Sequence, residues 1–233
     1  GYGSISQTTI DSIKAMQAAD ILFVGAAGNE TNNNDKRPTT RPLLPNVIDI
    51  AAHDKAGKLA SFSNYGRGSV ALSAPGVNIL STLPSDKQQE RYGTMSGTSM
   101  AAPHVTGVAA LLKAHNPDLK WWEIRNLLLA GGKSEDAFEG KTIVGKRLDA
   151  YGSLTCENKR AFGIMEPKGE VFAQITPVGE PVLLQAIHAK CAKPGGVVKV
   201  TVKPGNQVIE LKDDGDPNAS SNKYDEVAGD GIY

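Results

Sequence analysis

Helical and strand-like stretches alternate along this chain as far as about Ser153. After Leu154 the helical periodicity stops and only short β-rich pieces follow. That change of period limits the fold more than any other feature. Alternating elements build a parallel sheet under helices, whereas a run of short strands builds antiparallel sheets. Ile10, Ile13 and Met16 recur every third residue on one helical face, with Ser6, Thr8 and Thr9 as cap candidates. Ile21-Leu22-Phe23-Val24 is a continuous apolar run ending in small residues, as in a strand covered on both faces. Residues 46–52 and 69–74 read as two more strands, and residues 99–115 and 120–129 as helices. Ile124, Leu127 and Leu128 form the buried stripe of the second helix. Its start looks poorly capped, because Lys120 stands where Ser or Thr would complete a box with Glu123.

Beyond Leu154, residues 171–173, 182–186, 197–202 and 208–211 read as strands. Turn signals at Lys193-Pro194-Gly195-Gly196, Lys203-Pro204-Gly205-Asn206 and Asp213-Asp214-Gly215 separate them. The expected architecture is α/β, a parallel sheet flanked by helices over residues 1–155. A small all-β, sandwich-like accessory module, read as truncated, occupies residues 156–233. Acidic and basic residues balance at 25 each, so no global field points to nucleic acid or an anionic membrane. No apolar run is long enough to span a bilayer. The chain opens on Gly1 without an initiator Met and closes inside a strand-like run, which reads as a fragment. Cys156 and Cys191, 35 positions apart, have no CxxC spacing and so do not suggest zinc. A disulfide and two buried free thiols both fit them.

The densest chemistry lies in Met95-Ser96-Gly97-Thr98-Ser99-Met100-Ala101-Ala102-Pro103-His104-Val105. Gly97 permits a tight backbone, Ser99 stands at the start of an apolar helix, and Pro103 sits in its first turn, where proline costs little. The N–H groups and dipole of a helix start favour developing negative charge. A serine there is more often a plain N-cap, so these residues alone leave capping and nucleophile both open.

Gly97-Thr98-Ser99-Met100-Ala101-Ala102-Pro103-His104-Val105 resembles the nucleophile signature of the subtilisin-like serine peptidases. Ala26-Ala27-Gly28-Asn29 resembles the segment carrying that family's oxyanion-hole asparagine. Ala60-Ser61-Phe62-Ser63-Asn64-Tyr65-Gly66, Ala74-Pro75-Gly76, Glu123-Ile124-Arg125 and Arg147-Leu148-Asp149-Ala150 follow in family order, so the resemblance covers about residues 1–156. It implies a serine endopeptidase in which Ser99 attacks the scissile carbonyl, while the Asn29 amide and the Ser99 N–H hold the oxyanion. Without the resemblance, Asn29 is a turn asparagine after glycine. It further implies that Gly1-Tyr2-Gly3 ends a strand that pairs with extended peptide. Ala26, Ala27 and Gly28 would then wall the pocket for the residue before the scissile bond. Glu30 would stand at that pocket's mouth, either attracting Lys or Arg or simply solvated.

The family's aspartate and histidine precede its serine, in Asp-Thr-Gly or Asp-Ser-Gly and His-Gly-Thr motifs that do not occur here. His104 lies five residues beyond Ser99, roughly 140° around the helix, and is expected to be structural. His53 reads as a solvated loop histidine. The chain alone is therefore expected to be essentially inactive. The resemblance implies no cofactor for the chemistry, protein or peptide substrates, a monomer, and an extracellular setting. The tail resembles a β module of secreted bacterial subtilases, and Asp213, Asp214, Asp216, Asp225 and Asp230 could hold structural Ca²⁺ or serve only as turn residues. Two other readings stand beside the peptidase. One is a catalytically dead scaffold of the same fold. The other is an esterase using Ser99, Asp149 and His188, which the Gly-Thr-Ser-Met-Ala context disfavours because that class uses Gly-x-Ser-x-Gly.

Overall fold

In the computed structural model, residues 6–36, 44–84, 91–166, 183–202, 205–215 and 227–233 are described. A helix, α1 (Gln7–Ala18), comes first, and the Ser6 hydroxyl caps it by accepting from the Thr9 N–H. It ends in a left-handed Asp20 (φ 61°), with the Ile21 N–H returning to Met16 O and the Asp20 N–H to Gln17 O. This is the reciprocal C-cap that short polar residues tolerate.

The main sheet has the order β1-β2-β3-β7-β6. β1 (Phe23–Ala26), β2 (Val47–His53) and β3 (Leu72–Pro75) are parallel, and β3 also pairs in parallel with β7 (Lys146–Arg147). β6 (Lys133–Ser134) closes the edge antiparallel to β7. β2 and β3 each pair on both sides and expose almost nothing, which explains their nearly unbroken run of small and apolar residues. A hairpin of β4 (Ile79–Thr82) and β5 (Tyr92–Met95) stands apart from that sheet and leads into α2 (Thr98–His115). α2 lies across β1, β2 and β3, burying Ala101, Val105, Val108 and Leu112.

α3 (Trp121–Gly131) packs on α2 and on the short α4 (Ala150–Leu154). Its N-terminus is not uncapped, as the sequence suggested. The Glu123 carboxylate accepts from the Lys120 N–H at 2.8 Å, and Asp20, 101 positions upstream, accepts from the Trp121 N–H at 2.8 Å. A lysine side chain has no acceptor, so the missing half of the box is supplied from the end of α1.

The β-rich part contains β8 (Arg160–Glu166), β9 (Gln185–Lys190) and β10 (Lys193–Pro194) as an antiparallel sheet. β11 (Val198–Val202) and β12 (Gln207–Leu211) form a separate hairpin. The expected strand over 171–173 lies outside the described residues. The three-stranded sheet lays Ala161, Ile187 and Ala189 against α3, and these residues join the same apolar cluster as Ile50, Leu72 and Val105. Cys156 and Cys191 form a disulfide, which decides between the two alternatives the sequence left open.

This boundary also carries a buried polar tie. Arg125 of α3 is 2 % exposed and pairs with Asp230, 1 % exposed, at 3.3 Å. Its guanidinium also donates to Pro45 O, to the Asn126 side chain and to Asp230 O, and it stacks 5.3 Å from the Trp121 ring. Asp213 in turn accepts the N–H groups of Gly229, Asp230 and Gly231. Burial raises its pKa even though those donors favour the ionised form. Of the five aspartates considered for calcium, Asp213 and Asp230 are thus committed to protein partners, and Asp216 and Asp225 lie outside the described residues. No cluster of three acidic, His or Cys side chains suited to a metal forms among the described residues.

Candidate active site

The site gathers where β2 and β3 end and α2 begins. The Gly76 N–H bonds to His53 O at 2.9 Å, and the Gly97 N–H bonds to Gly76 O at 2.8 Å, so the approach to α2 is pinned to two strand ends. A Cβ on Gly76 would lie 2.5 Å from the Ala52 Cβ and 2.8 Å from Gly97 O, so only glycine allows this approach. Gly97 is the N-cap residue and offers no side chain, which leaves Ser99 inside the first turn and exposed. Ser99 is therefore not the capping serine that its position allowed. Neither its hydroxyl nor its N–H has a hydrogen-bond partner among the described residues.

Thr98, fully buried, connects this turn to the loop after β1. Its N–H and its hydroxyl both donate to Asn29 Oδ1, at 2.9 and 3.0 Å, and its oxygen accepts from the Gly28 N–H at 3.1 Å. With two donors on Oδ1, the orientation of the Asn29 amide is fixed and its NH₂ faces the α2 start. A Cβ built on Gly97 would lie 3.5 Å from Asn29 Nδ2 and 3.7 Å from the Ser99 nitrogen, so both donors border one small region. Two N–H donors beside an exposed hydroxyl at a helix N-terminus suit a developing oxyanion.

The loop after β1 has its own support. Ala27 is fully buried, packed with Ala51 and Val70, while Ala26 and Gly28 keep some exposed surface. Gly28 (φ 109°) has no room for a Cβ, which would meet the Asn64 amide and lie 2.8 Å from Glu30 Oε2. Glu30, exposed, turns this oxygen back onto the Asn29 N–H at 3.1 Å and the Asn64 Nδ2 at 2.8 Å. It is thus engaged with its own loop rather than simply solvated. Asn64 is fully buried, and its roles, like that of Thr98, were not legible from sequence. The only signal was a short polar residue in the Ser63-Asn64-Tyr65-Gly66 turn, which most turns share. Gly1, Tyr2 and Gly3 lie outside the described residues.

The histidines divide. The His104 Nδ1–H donates to Met100 O one turn back at 2.8 Å, the packed role expected of it. His53 differs from its solvated reading. It is the last residue of β2, 4 % exposed, with Nδ1 3.2 Å from Ser73 Oγ and its ring 5.7 Å from Phe138. Burial, followed by the nearby Arg147 charge, lowers its pKa to about 4. Phe138 belongs to a 3₁₀ turn (Asp136–Phe138) far along the chain, so nothing near His53 in sequence announced this cover.

Known proteins resemble this chain over its first part. A family model described as the Subtilase family matches residues 1–143. The thermostable alkaline protease of Halalkalibacterium halodurans is 42 % identical over 125 residues, 54 % of this chain and 32 % of that protein. Subtilisin Savinase of Lederbergia lenta is 38 % identical over 128 residues, 55 % of this chain and 45 % of its own length. The chain therefore spans well under two thirds of these relatives. A solved protease structure from Pseudoalteromonas arctica superposes with a TM-score of 0.54 at 32 % identity, covering 66 % of this chain and 48 % of the other.

Proposed function

The chain belongs to the subtilase family, and from that premise we propose that it is the nucleophile-bearing part of a serine endopeptidase. Supporting this most directly is the fixed Asn29 amide, whose NH₂ borders the same region as the Ser99 N–H at the start of α2. Ser99 Oγ attacks the scissile carbonyl. The carbonyl oxygen takes the negative charge and accepts from Asn29 Nδ2 and the Ser99 N–H. Loss of the amine then leaves an acyl-enzyme for water to cleave. The base that takes the Ser99 proton and passes it to the departing amine, and the carboxylate that orients that base, are assigned to polypeptide outside these 233 residues.

The substrate on this reading is an extended peptide, paired with a strand that includes Gly1, Tyr2 and Gly3. Ala26 and Gly28, which keep exposed surface, border the place for an apolar side chain before the scissile bond, whereas Ala27, expected to wall it too, is buried behind them; Glu30 adds negative charge at the mouth. Residues 156–233 act as the accessory part. An extracellular setting accords with the disulfide and with an extracellular basic protease of Dichelobacter nodosus, 45 % identical over 115 residues, 48 % of this chain and 19 % of that protein.

The test is the full-length gene product. Its upstream reading frame should encode the aspartate and histidine motifs, and the protein should cleave peptides. Ser99→Ala should abolish that cleavage, and these 233 residues alone should retain roughly 10⁻⁶ of the turnover, a magnitude measured for subtilisin rather than derived from this chain. An inert residue at either upstream position, with no cleavage, would make the fold a binding scaffold instead.

A further inference from the structure

Thr98 fixes one end of Asn29, the side-chain oxygen, but the backbone of the loop that carries Asn29 needs a second anchor. Asn64 has the geometry for it. Its Oδ1 accepts from the Glu30 N–H at 3.0 Å and the Asn32 N–H at 2.9 Å, while its Nδ2 donates to Ala27 O at 3.1 Å and Glu30 Oε2 at 2.8 Å. One fully buried amide thus grips the chain on both sides of Asn29, with both of its ends in use. Glu30 Oε2 also accepts the Asn29 N–H itself at 3.1 Å, so the grip reaches Asn29 through a carboxylate shared with Asn64. Asn64 is held in turn by its own N–H to Gly28 O at 2.9 Å and by Ser63, whose hydroxyl accepts from the Ala52 N–H of β2 at 2.9 Å.

We propose that Asn64, acting through the Glu30 carboxylate and the 27–32 backbone, is a positioning residue that aims the Asn29 amide at the oxyanion. This rests on the peptidase reading above and adds to it a residue that touches neither substrate nor nucleophile. Displacing an oxyanion donor by a fraction of an ångström weakens its bond mainly in the transition state, so the effect belongs in kcat rather than KM.

The experiment uses the full-length protein and a peptide substrate. Asn64→Asp keeps the volume and the acceptors for the Glu30 and Asn32 N–H groups, but replaces the donor facing Glu30 Oε2 and Ala27 O with a second carboxylate oxygen. Its kcat should fall roughly 10- to 100-fold with little change in KM, bounded by the roughly 100- to 1000-fold loss measured on removing such a donor from subtilisin. In an Asn29→Ala background the same substitution should change kcat by no more than about twofold, because its route of action is gone. Equal losses with and without Asn29, or a change confined to KM, would overturn the proposal while leaving the peptidase reading in place. If Asn64→Asp does not fold, the Glu30→Gln, Asn29→Ala pair replaces it in the cycle, and additivity there overturns the proposal equally. No turnover by the unmodified full-length protein overturns both.

Discussion

The start of α2 and the tail of the chain are both held by buried polar groups, but of opposite kinds. Around Ser99 the buried groups are neutral, namely Asn64 and Thr98. They hold backbone, the Asn29 side-chain oxygen and, on the exposed side, the Glu30 carboxylate, and Ser99 is left exposed beside them. At the tail a full charge does the holding, with Arg125 and Asp230 buried together and Asp213 gathering the following backbone. Neutral networks fix direction at modest cost, whereas a buried ion pair is costly to break because each charge depends on the other. The two regions should therefore fail differently, the first in rate and the second in stability.

The largest effect on stability is expected from Asp230→Asn, which leaves the Arg125 guanidinium buried without its counter-charge. Denaturant unfolding should show a loss of about 3–5 kcal/mol, and a paired Arg125→Met, Asp230→Leu variant should regain much of it. An unchanged midpoint would mean the tail is not coupled to α3, and the comparison would collapse. Next comes the Cys156–Cys191 disulfide, whose loop of 35 residues predicts a loss of about 3–4 kcal/mol for Cys156→Ala, Cys191→Ala. Combined with Asp230→Asn, the losses should exceed or fall short of additivity if both ties act on one unit, and add if they do not.

His53 supplies the smallest effect, on the sheet beneath the site. Its folded pKa of about 4 lies below the unfolded value of 6.5, so the unfolded chain takes up its proton first on acidification. Stability from this residue is complete above pH 6.5 and declines toward pH 4, by about 3 kcal/mol at most. A His53→Gln variant should flatten the pH dependence of the unfolding midpoint in that window. A slope unchanged by the substitution would show that the acid sensitivity arises elsewhere.

How far each region could be read from sequence follows from the same contrast. The ends of α2 and α3, the strand β2 and the two segments that bring Asn29 beside Ser99 are legible, because a local pattern or a contiguous motif carries each. Thr98 and Asn64 are not, since their partners lie 69 and 34 positions away and a short polar residue in a turn has many other uses. β8 carries no strand signal in the sequence, for a packing reason. Its inner face is made of Ala161 and Gly163, with Gly163 pressed against the Ile143 backbone, so the alternation of large apolar residues that marks a strand is absent. β9 spans Gln185–Lys190, later than the expected 182–186, because its inner residues Ile187 and Ala189 flank a histidine that breaks the apolar run. The β4–β5 hairpin, with exposed Leu80 and Tyr92, gives neither period clearly.

The Arg125–Asp230 pair also sets an order of events as the chain is made. Arg125 lies 105 positions before its partner, so α3 emerges from the ribosome well before its counter-charge exists. At the slow pace of synthesis, the first 150 residues have seconds in which helices and parallel strands can collapse with a solvated arginine facing outward. Contacts of such long separation close late in folding, once the loop entropy between them has been met. The final burial of α3 thus waits for the last turns of the tail, and a ribosome-stalled chain ending before Asp230 should remain protease-sensitive at α3.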